Sequence, residues 1–435
     1  MVKNLLKKFL PKFLISWYHF WLAFLGALVY GFPGRKIKVI GVTGTKGKST
    51  VVEFCHKIFQ EAGMAVASLS SIRFKINEKE RPNLLKMTMP GRFAIQKFLR
   101  EAVNSSCQYL ILEVTSEGIC QYRHKFIDFE AAVFTNLFPE HIESHGGFEN
   151  YKKAKGKLFQ AVKNIHIINS DDKNADYFLS FSAKKKYLYE FKNRASVGSE
   201  GEEDGGVIFA FKNAKIKITN QNSKIIDVPR LNLKLPGEFN VYNALAAVAV
   251  GLSQGISLEV CKRAVEKIEV IQGRMELVRK EPFKVIVDYA HIPDALEKVY
   301  QTLSTNYKLQ TNKLICVLGS AGGGRDKWKR PKMGEIADRY CSEIIVTNED
   351  PYDEDPLKII DEVASGVKNN QAQDLYAILD RREAIKKALT LANPGDTVII
   401  TGKGSEPWMC LTRGKKIPWD DRRVVMEEFD KIFGD

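Results

Sequence analysis

The residues best suited to chemistry lie between Lys38 and Thr50, KVIGVTGTKGKST. A short β-branched run leads into glycines, lysines and hydroxyls before an amphipathic segment, and strand, glycine loop and helix is the arrangement that holds phosphates. Backbone N–H groups along Gly44, Thr45, Lys46 and Gly47 would face the anion. Lys48 would reach a terminal phosphate, and a hydroxyl at Ser49 or Thr50 would ligate Mg²⁺. The general pattern G-x-x-x-x-G-K-[ST] is met only in part, because Val42 stands five residues before Gly47 and the glycines fall at Gly41 and Gly44. Two later stretches, QYLILEVTS (108–116) and AAVFTNL (131–137), are apolar runs ending in polar residues. Ligands of open parallel sheets collect at the carboxyl ends of strands, which makes Glu113, Thr115, Ser116, Thr135 and Asn136 candidates. A carboxylate at Glu113 would serve equally as a helix cap or half of an ion pair. Glu140, His141, Glu143 and His145 gather donors that suit a divalent metal, at no spacing of a known zinc motif, so solvated surface polars are the simpler reading.

The elements that must position these groups are legible as alternating strands and helices. STVVEFCHKIFQEAGM has helical apolar spacing and stops at Gly63, and LPGEFNVYNALAAVAVGLSQGI (235–256) reads as a loop entering a small-residue helix. From about 192 to 228 the chain turns polar, with GSEGEEDGG as a surface loop and GVIFAFK and KIKIT as hairpin strands. After IQGRMELV the pattern resumes in KVIVDYAH, NKLICVLGSAGGGRD, SEIIVTNEDP and DTVIITGKGSE, a second doubly wound α/β unit with its own strand-end face. GSAGGG lacks the spacing of a dinucleotide fingerprint, so NAD is not expected.

With 435 residues, 44% hydrophobic and 27% charged, the chain is long enough for two or three packed domains and is not dominated by disorder. A formal charge of +14 suits nucleotide-like or anionic-lipid partners better than basic ones. Seven cysteines without a CxxC pair read as reduced core residues, with neither zinc site nor disulfide framework. Phe13–Phe32 carries no formal charge and is flanked by Lys3, Lys7, Lys8 and Lys12 before it and Arg35, Lys36 and Lys38 after it. Such a segment would span a bilayer, lie in its interface, or pack on protein.

Taken together, GVTGTKGKST, TMP (88–90), EVTSEG with QYR, FTNLFPEHIESHGGFENYKKAK, LPGEFNVYNALAA, GRMELV, VDYAHIPDAL, GGGRDKWKRPKMGEIA, EDPYDEDP, DRREAI and GKGSE resemble the Mur ligase family. The likeness is to its MurE-type members, which extend UDP-N-acetylmuramoyl-dipeptide, and it runs from about Val29 to Phe433. The resemblance implies an α/β fold: a central P-loop ATPase-like doubly wound domain (35–272) followed by a smaller Rossmann-like α/β domain (273–435); the apolar run adds, from its hydropathy alone, an N-terminal hydrophobic helix (1–34) as a candidate membrane anchor. It implies an ATP-dependent acid–amino-acid ligase, in which ATP phosphorylates a substrate carboxylate and an incoming amine attacks the acyl phosphate. Lys48, Glu113, His141 and Lys155 would be catalytic. Two Mg²⁺ ions would be held by Ser49 or Thr50, Glu113, His141 and a carbamylated Lys155. Asn243 would contact adenine, and Arg274 and Asp288 other parts of the nucleotide. Thr88, Thr115, Gln121 and Arg123 would hold the muramoyl-peptide acceptor, and Arg325, Glu349, Asp350, Tyr352, Gly402 and Glu406 the free amino acid.

The sequence also departs from the family. Diaminopimelate-selecting members carry D-N-P-R where Glu349, Asp350, Pro351 and Tyr352 stand, and without the arginine fork a distal carboxylate has no bidentate partner. Glu349, Asp350 and Asp353 would better suit a second ammonium, as in lysine. Ser405 and Glu117 replace usual histidines. About forty residues precede the phosphate loop where relatives carry about a hundred of UDP-sugar-binding domain. The expectation is therefore a cytoplasmic ligase at the inner face of the membrane, acting on a UDP- or lipid-linked cell-wall precursor and on no nucleic acid. Alternatives are a Mur-like ligase for a poly-γ-glutamate or folate-type acceptor and a non-catalytic Mur-like subunit.

Overall fold

The computed structural model describes residues 11–85, 87–191, 198–203, 206–211, 214–219, 224–228, 231–306, 312–368 and 374–434. Two parallel sheets organise them. The first has at its centre six parallel strands, β1 (Lys38–Thr43), β2 (Val66–Leu69), β3 (Tyr109–Glu113), β4 (Phe129–Phe134), β5 (Ile165–Asn169) and β6 (Lys185–Phe191), in the order β6-β5-β4-β1-β3-β2. Antiparallel pairs extend it at both edges. β1 and β3 are buried along nearly their whole length, as strands covered on both faces must be, hence their continuous Val/Ile/Leu runs. The second sheet has six strands, β7 (Glu276–Arg279), β8 (Lys284–Val287), β9 (Leu314–Leu318), β10 (Glu343–Thr347), β11 (Asp374–Ile378) and β12 (Thr397–Ile400), in the order β7-β8-β12-β9-β10-β11. Only β7 runs antiparallel to its neighbour.

The helices that hold the site and its surroundings include α1 (Lys12–Val29), α2 (Lys48–Glu61), α3 (Arg92–Asn104), α4 (Ser116–Cys120), α5 (Phe148–Ala161) and α6 (Glu238–Ser253). α2 and α6 pack closely because α6 is built from small residues, and its Gly251 lies where a Cβ would come within 3.0 Å of Ile58 and 2.5 Å of Cys261 Sγ.

Three expectations change. GSEGEE is a strand, Gly198–Glu203, paired antiparallel with Gly206–Phe211, so backbone pairing there needs no apolar alternation; Asp204 and Gly205 lie outside the described residues, as do 192–197, 212–213 and 220–223 of the same polar stretch. Cys316 on β9 and Cys341 form a disulfide, whereas Cys55, Cys107, Cys120, Cys261 and Cys410 are free. Among the described residues no helix is long and apolar enough to cross a membrane. The apolar run is interrupted at Gly31 and Phe32, both in left-handed backbone, leaving 18 helical residues, about 27 Å against a hydrocarbon core of about 30 Å.

Candidate active site

β1 delivers the chain into the glycine loop, and Gly47, with φ 83°, turns it into α2. The turn needs glycine twice. A Cβ on Gly44 would lie 1.9 Å from Thr135 Oγ1, and one on Gly47 2.2 Å from Asn243 Oδ1. The end of β4 fastens the loop: Thr135 Oγ1 donates to Lys46 O at 2.7 Å, and Asn136 accepts from the N–H of Lys46 at 2.9 Å through its side chain and of Thr45 at 2.9 Å through its carbonyl. Asn243 is buried behind the loop, its amide donating to Asn240.

Below the loop, Glu113 at the end of β3 accepts from Ser49 Oγ and from the N–H of Ser71, each at 2.9 Å, on one oxygen. Its other oxygen lies 3.9 Å from Lys48 Nζ, which also donates to Thr45 O at 2.8 Å. Thr50 is buried on the first turn of α2. Lys155, on α5, is 2% exposed and donates to Gly44 O at 2.7 Å. Among the described residues it has no ion-pair partner; burial, then the neighbouring Lys48, pushes its ammonium well below the usual lysine range. A buried amine that prefers to be neutral is the form able to take up CO₂. His141, at left-handed φ 58°, stands 4.0 Å from Glu117 and is lowered chiefly by burial, so its ring is neutral and has a lone pair to offer. Among the described residues no three His, Cys, Asp or Glu side chains cluster as a metal site; Glu113 and His141 are the only such groups in the expected set.

A cleft of about 300 Å³ opens between the two sheets. Thr88, Met89, Thr115 and Arg123 line one side, and Arg325, Glu349, Asp350, Tyr352 and Glu406 the other, with Glu140, His141 and Arg274 also on its walls. Residues expected to hold the acceptor and those expected to hold the amino acid thus line one cavity. Gln121 stands behind, bonded to Arg123 at 2.8 Å, and Gly402 supports Glu349, whose Oε2 would be 2.6 Å from a Cβ there. Asp288 is turned inward, accepting from the N–H of Met275 and Ala290, and burial raises its carboxyl. Arg274 stacks over Tyr289, whose hydroxyl donates to Glu406.

His291, Asp326 and Lys403, and the bonds that join them to residues already named, emerge only in three dimensions. Lys46 Nζ meets Glu140 Oε1 at 3.1 Å and His291 Nε2 at 2.9 Å, tying the loop to the second sheet. Burial holds His291 at about 4 and pulls Lys46 down to about 8. Burial opposes ionisation of Glu140, but Lys46 and the His291 bond outweigh it and keep the carboxylate well below its usual range. Asp326 accepts from the N–H of Ile142 and Glu143, at 3.2 and 2.9 Å, across the same boundary. Lys403 is fully buried and bonds Asp350 at 2.9 Å and Glu406 at 2.8 Å. Asp350 is therefore already paired, sharing Lys403 with Glu406, and Asp353 accepts from the N–H of Arg413. The acidic cluster expected to meet a second ammonium reduces to Glu349, whose buried Oε2 has no hydrogen-bond partner. The DYAH, GGGRDKWK and GKGSE stretches carried His291, Asp326 and Lys403, but nothing in their spacing marked which side chain would turn inward.

Comparison with known proteins agrees with this geometry. The Mur ligase middle domain matches residues 42–251 and the Mur ligase glutamate ligase domain 273–404. The chain is 36% identical over 411 residues to the UDP-N-acetylmuramoyl-L-alanyl-D-glutamate–2,6-diaminopimelate ligase of Syntrophomonas wolfei, covering 93% of this chain and 81% of that protein. It is 35% identical over 434 residues to the UDP-N-acetylmuramyl-tripeptide synthetase of Roseiflexus sp., covering 93% and 82%. Among solved structures, a UDP-N-acetylmuramoyl-L-alanyl-D-glutamate–2,6-diaminopimelate ligase superposes with a TM-score of 0.55 at 29% identity, covering 91% of this chain and 79% of that one. The chain belongs to the Mur ligase family, whose members are ATP-dependent ligases.

Proposed function

We propose that this protein is an ATP-dependent amide ligase that adds an amino acid to the peptide of a muramoyl-type cell-wall precursor. The observation that carries the reading is one shared cleft in which Thr115 and Arg123 face Arg325 and Glu406, joined to the glycine loop by the bonds of Lys46 to Glu140 and His291 on its wall. Work is divided between residues 35–272, which would bind ATP and acceptor, and 273–435, which would bring the amino acid.

The residues fit a nucleotide with Mg²⁺. Gly44 and Gly47 let the loop lie against Thr135 and Asn243, where a Cβ would collide, and Ser49, Glu113, His141 and Lys155 supply a hydroxyl, a carboxylate, an imidazole and an amine, the last two disfavoured by burial from taking a proton. A carbamate on Lys155 would turn that amine into an anionic oxygen ligand, consistent with two ions in place of one. The metal would neutralise charge on the transferring phosphoryl group. Lys48 would bind the terminal phosphate, and the acceptor carboxylate, held by Arg123 and Thr115, would accept the phosphoryl group to give an acyl phosphate and ADP. The amino group, placed by Glu406 and Arg325, would attack the acyl carbon and expel phosphate, forming the amide. Closure of the two sheets around this cleft would exclude water from the acyl phosphate. Such an enzyme works where ATP is available, in the cytoplasm.

Glu349 supports an amino acid with a side-chain ammonium, and Tyr352, with its ring 5.9 Å from the Arg325 guanidinium, supplies no fork for a distal carboxylate. Phosphate release, assayed over a panel of amino acids and muramoyl-dipeptide acceptors, tests the reading. Turnover should require both substrates and vanish in Lys48→Ala. Absence of turnover with every acceptor, with cellular function intact in Lys48→Ala, would refute it.

A further inference from the structure

α1 has its polarity reversed for a helix in water. At 100° per residue, Phe13, Trp17, Leu28, Trp21, Leu14, Leu25, Tyr18 and Val29 fall in one sector of about 160°. All eight are exposed, from 39% at Leu14 to 69% at Phe13. The few polar side chains face the protein instead: Ser16 Oγ bonds Tyr122 OH at 2.8 Å, and His19 bonds Arg92. Ala23 and Ala27 are buried on that same inner face, and Gly26 lies against the backbone of Arg92 and Phe93. Phe20 and Phe24 pack on Phe126, and Arg100 donates to Tyr30 O and Gly31 O at the helix end. The helix is thus clamped in place with its most apolar side outward, an orientation that costs free energy unless something apolar covers it.

Charge identifies what covers it. The first acidic residue of the chain is Glu53, and before it stand Lys3, Lys7, Lys8 and Lys12 on one side of the apolar segment and Arg35, Lys36 and Lys38 on the other. Arg35, Lys36 and Lys38 are exposed. A second copy docking there would bring two such basic sets together, whereas an anionic lipid surface complements them, and Trp17, Tyr18 and Trp21 suit the headgroup layer. We infer that α1 lies flat on an anionic membrane surface, its Phe13–Val29 sector in the headgroup boundary and its inner face on the protein.

The consequence for catalysis rests on the proposed ligase activity. The segment that α1 grips, Gln121–Phe126, carries Arg123, and Arg92, which binds His19, donates to Gln121 O at 2.9 Å. Arg123 in turn lines the acceptor side of the cleft and bonds Met89 O. Leu84, Leu85 and Met87, in the loop that also lines this side, expose further apolar surface. The acceptor mouth therefore sits beside the lipid, where a muramoyl peptide on a lipid carrier would be presented.

Flotation of the full chain with phosphatidylcholine vesicles, with and without about one-third phosphatidylglycerol, tests the docking without any substrate. Expected is flotation with the anionic vesicles only, weakened by salt, and at least about tenfold weaker for W17S/W21S/L25S, with that variant's thermal melting and ATP turnover with a soluble acceptor unchanged. Equal recovery with neutral vesicles, no flotation, or flotation unaffected by the substitutions would overturn it. So would a lipid-free dimer that the same substitutions dissociate. Loss of the ligase assay alone would leave the docking result standing.

Discussion

Glu349→Gln should make the protein more stable and a poorer binder of its amino acid. Glu349 is 4% exposed and its Oε2 has no partner. Burial, then Asp350, raises its carboxyl against the opposing pull of Lys329, Lys403 and Arg381. Between the unfolded carboxyl value and the raised folded one, the folded state holds a proton that the unfolded state has released. Stability therefore falls as pH rises through that window, and the loss persists at neutral pH. Glutamine keeps the shape and removes the titration. The amide keeps an equally unpaired polar atom there, so the gain is that of removing the buried charge, about 1–3 kcal/mol, and at about 2–4 °C per kcal/mol the melting temperature should rise by about 2–12 °C. Calorimetry without substrate at about pH 8 and about pH 5 separates the charge from the shape, because the gain should be larger at the higher pH. If Glu349 meets an ammonium, KM for the amino acid should rise about ten- to a hundredfold, the worth of a charged hydrogen bond. An equal gain at both pH values, or a loss of stability, would refute the reasoning.

Lys155→Ala should abolish a carbamate carbon resonance seen in the wild type with labelled bicarbonate, and lower phosphate release by at least about tenfold. A wild-type spectrum without that resonance counts against the carbamate. Arg381 and Asp421 form a pair with no side-chain exposure, Nε and Nη2 meeting the two carboxylate oxygens at 2.8 and 2.7 Å. Arg381→Met leaves Asp421 charged and buried, so chemical denaturation should show a loss of about 3–5 kcal/mol, partly recovered by adding Asp421→Leu.

The sheets were legible because buried parallel strands leave continuous apolar runs, and KVIGVT, QYLILE and SEIIVT are such runs. The loop was legible because its glycines and lysines have little other use together. Gly198–Glu203 was not legible, since backbone pairing there uses no apolar pattern. The Cys316–Cys341 bond was hidden for a related reason: cysteines separated by 25 residues meet only once β9 and the chain entering β10 are neighbours. Lys403 and His291 were hidden by the same physics, because a buried, bonded lysine and a solvated one are identical in sequence; Lys46 was legible as part of the loop, but not its side-chain bonds to Glu140 and His291. Counting apolar residues over-read Phe13–Phe32 as long enough to span, because the left-handed turn at Gly31 and Phe32 left no trace in hydropathy.

The contact between Asp326 and the start of Ile142–His145 has an evolutionary consequence. Its two donors are main-chain N–H groups, which every residue except proline supplies. Position 142 can therefore drift with little effect on this junction, while a single change at 326 removes both bonds at once. Glu143 adds a reciprocal bond, its side chain accepting from the N–H of Lys327 at 3.0 Å, so 327 is free to vary while 143 must keep an acceptor. Each of these three bonds pairs a side chain with a main-chain N–H, so the junction depends on the identity of two residues, Asp326 and Glu143, where side-chain pairs would have needed more.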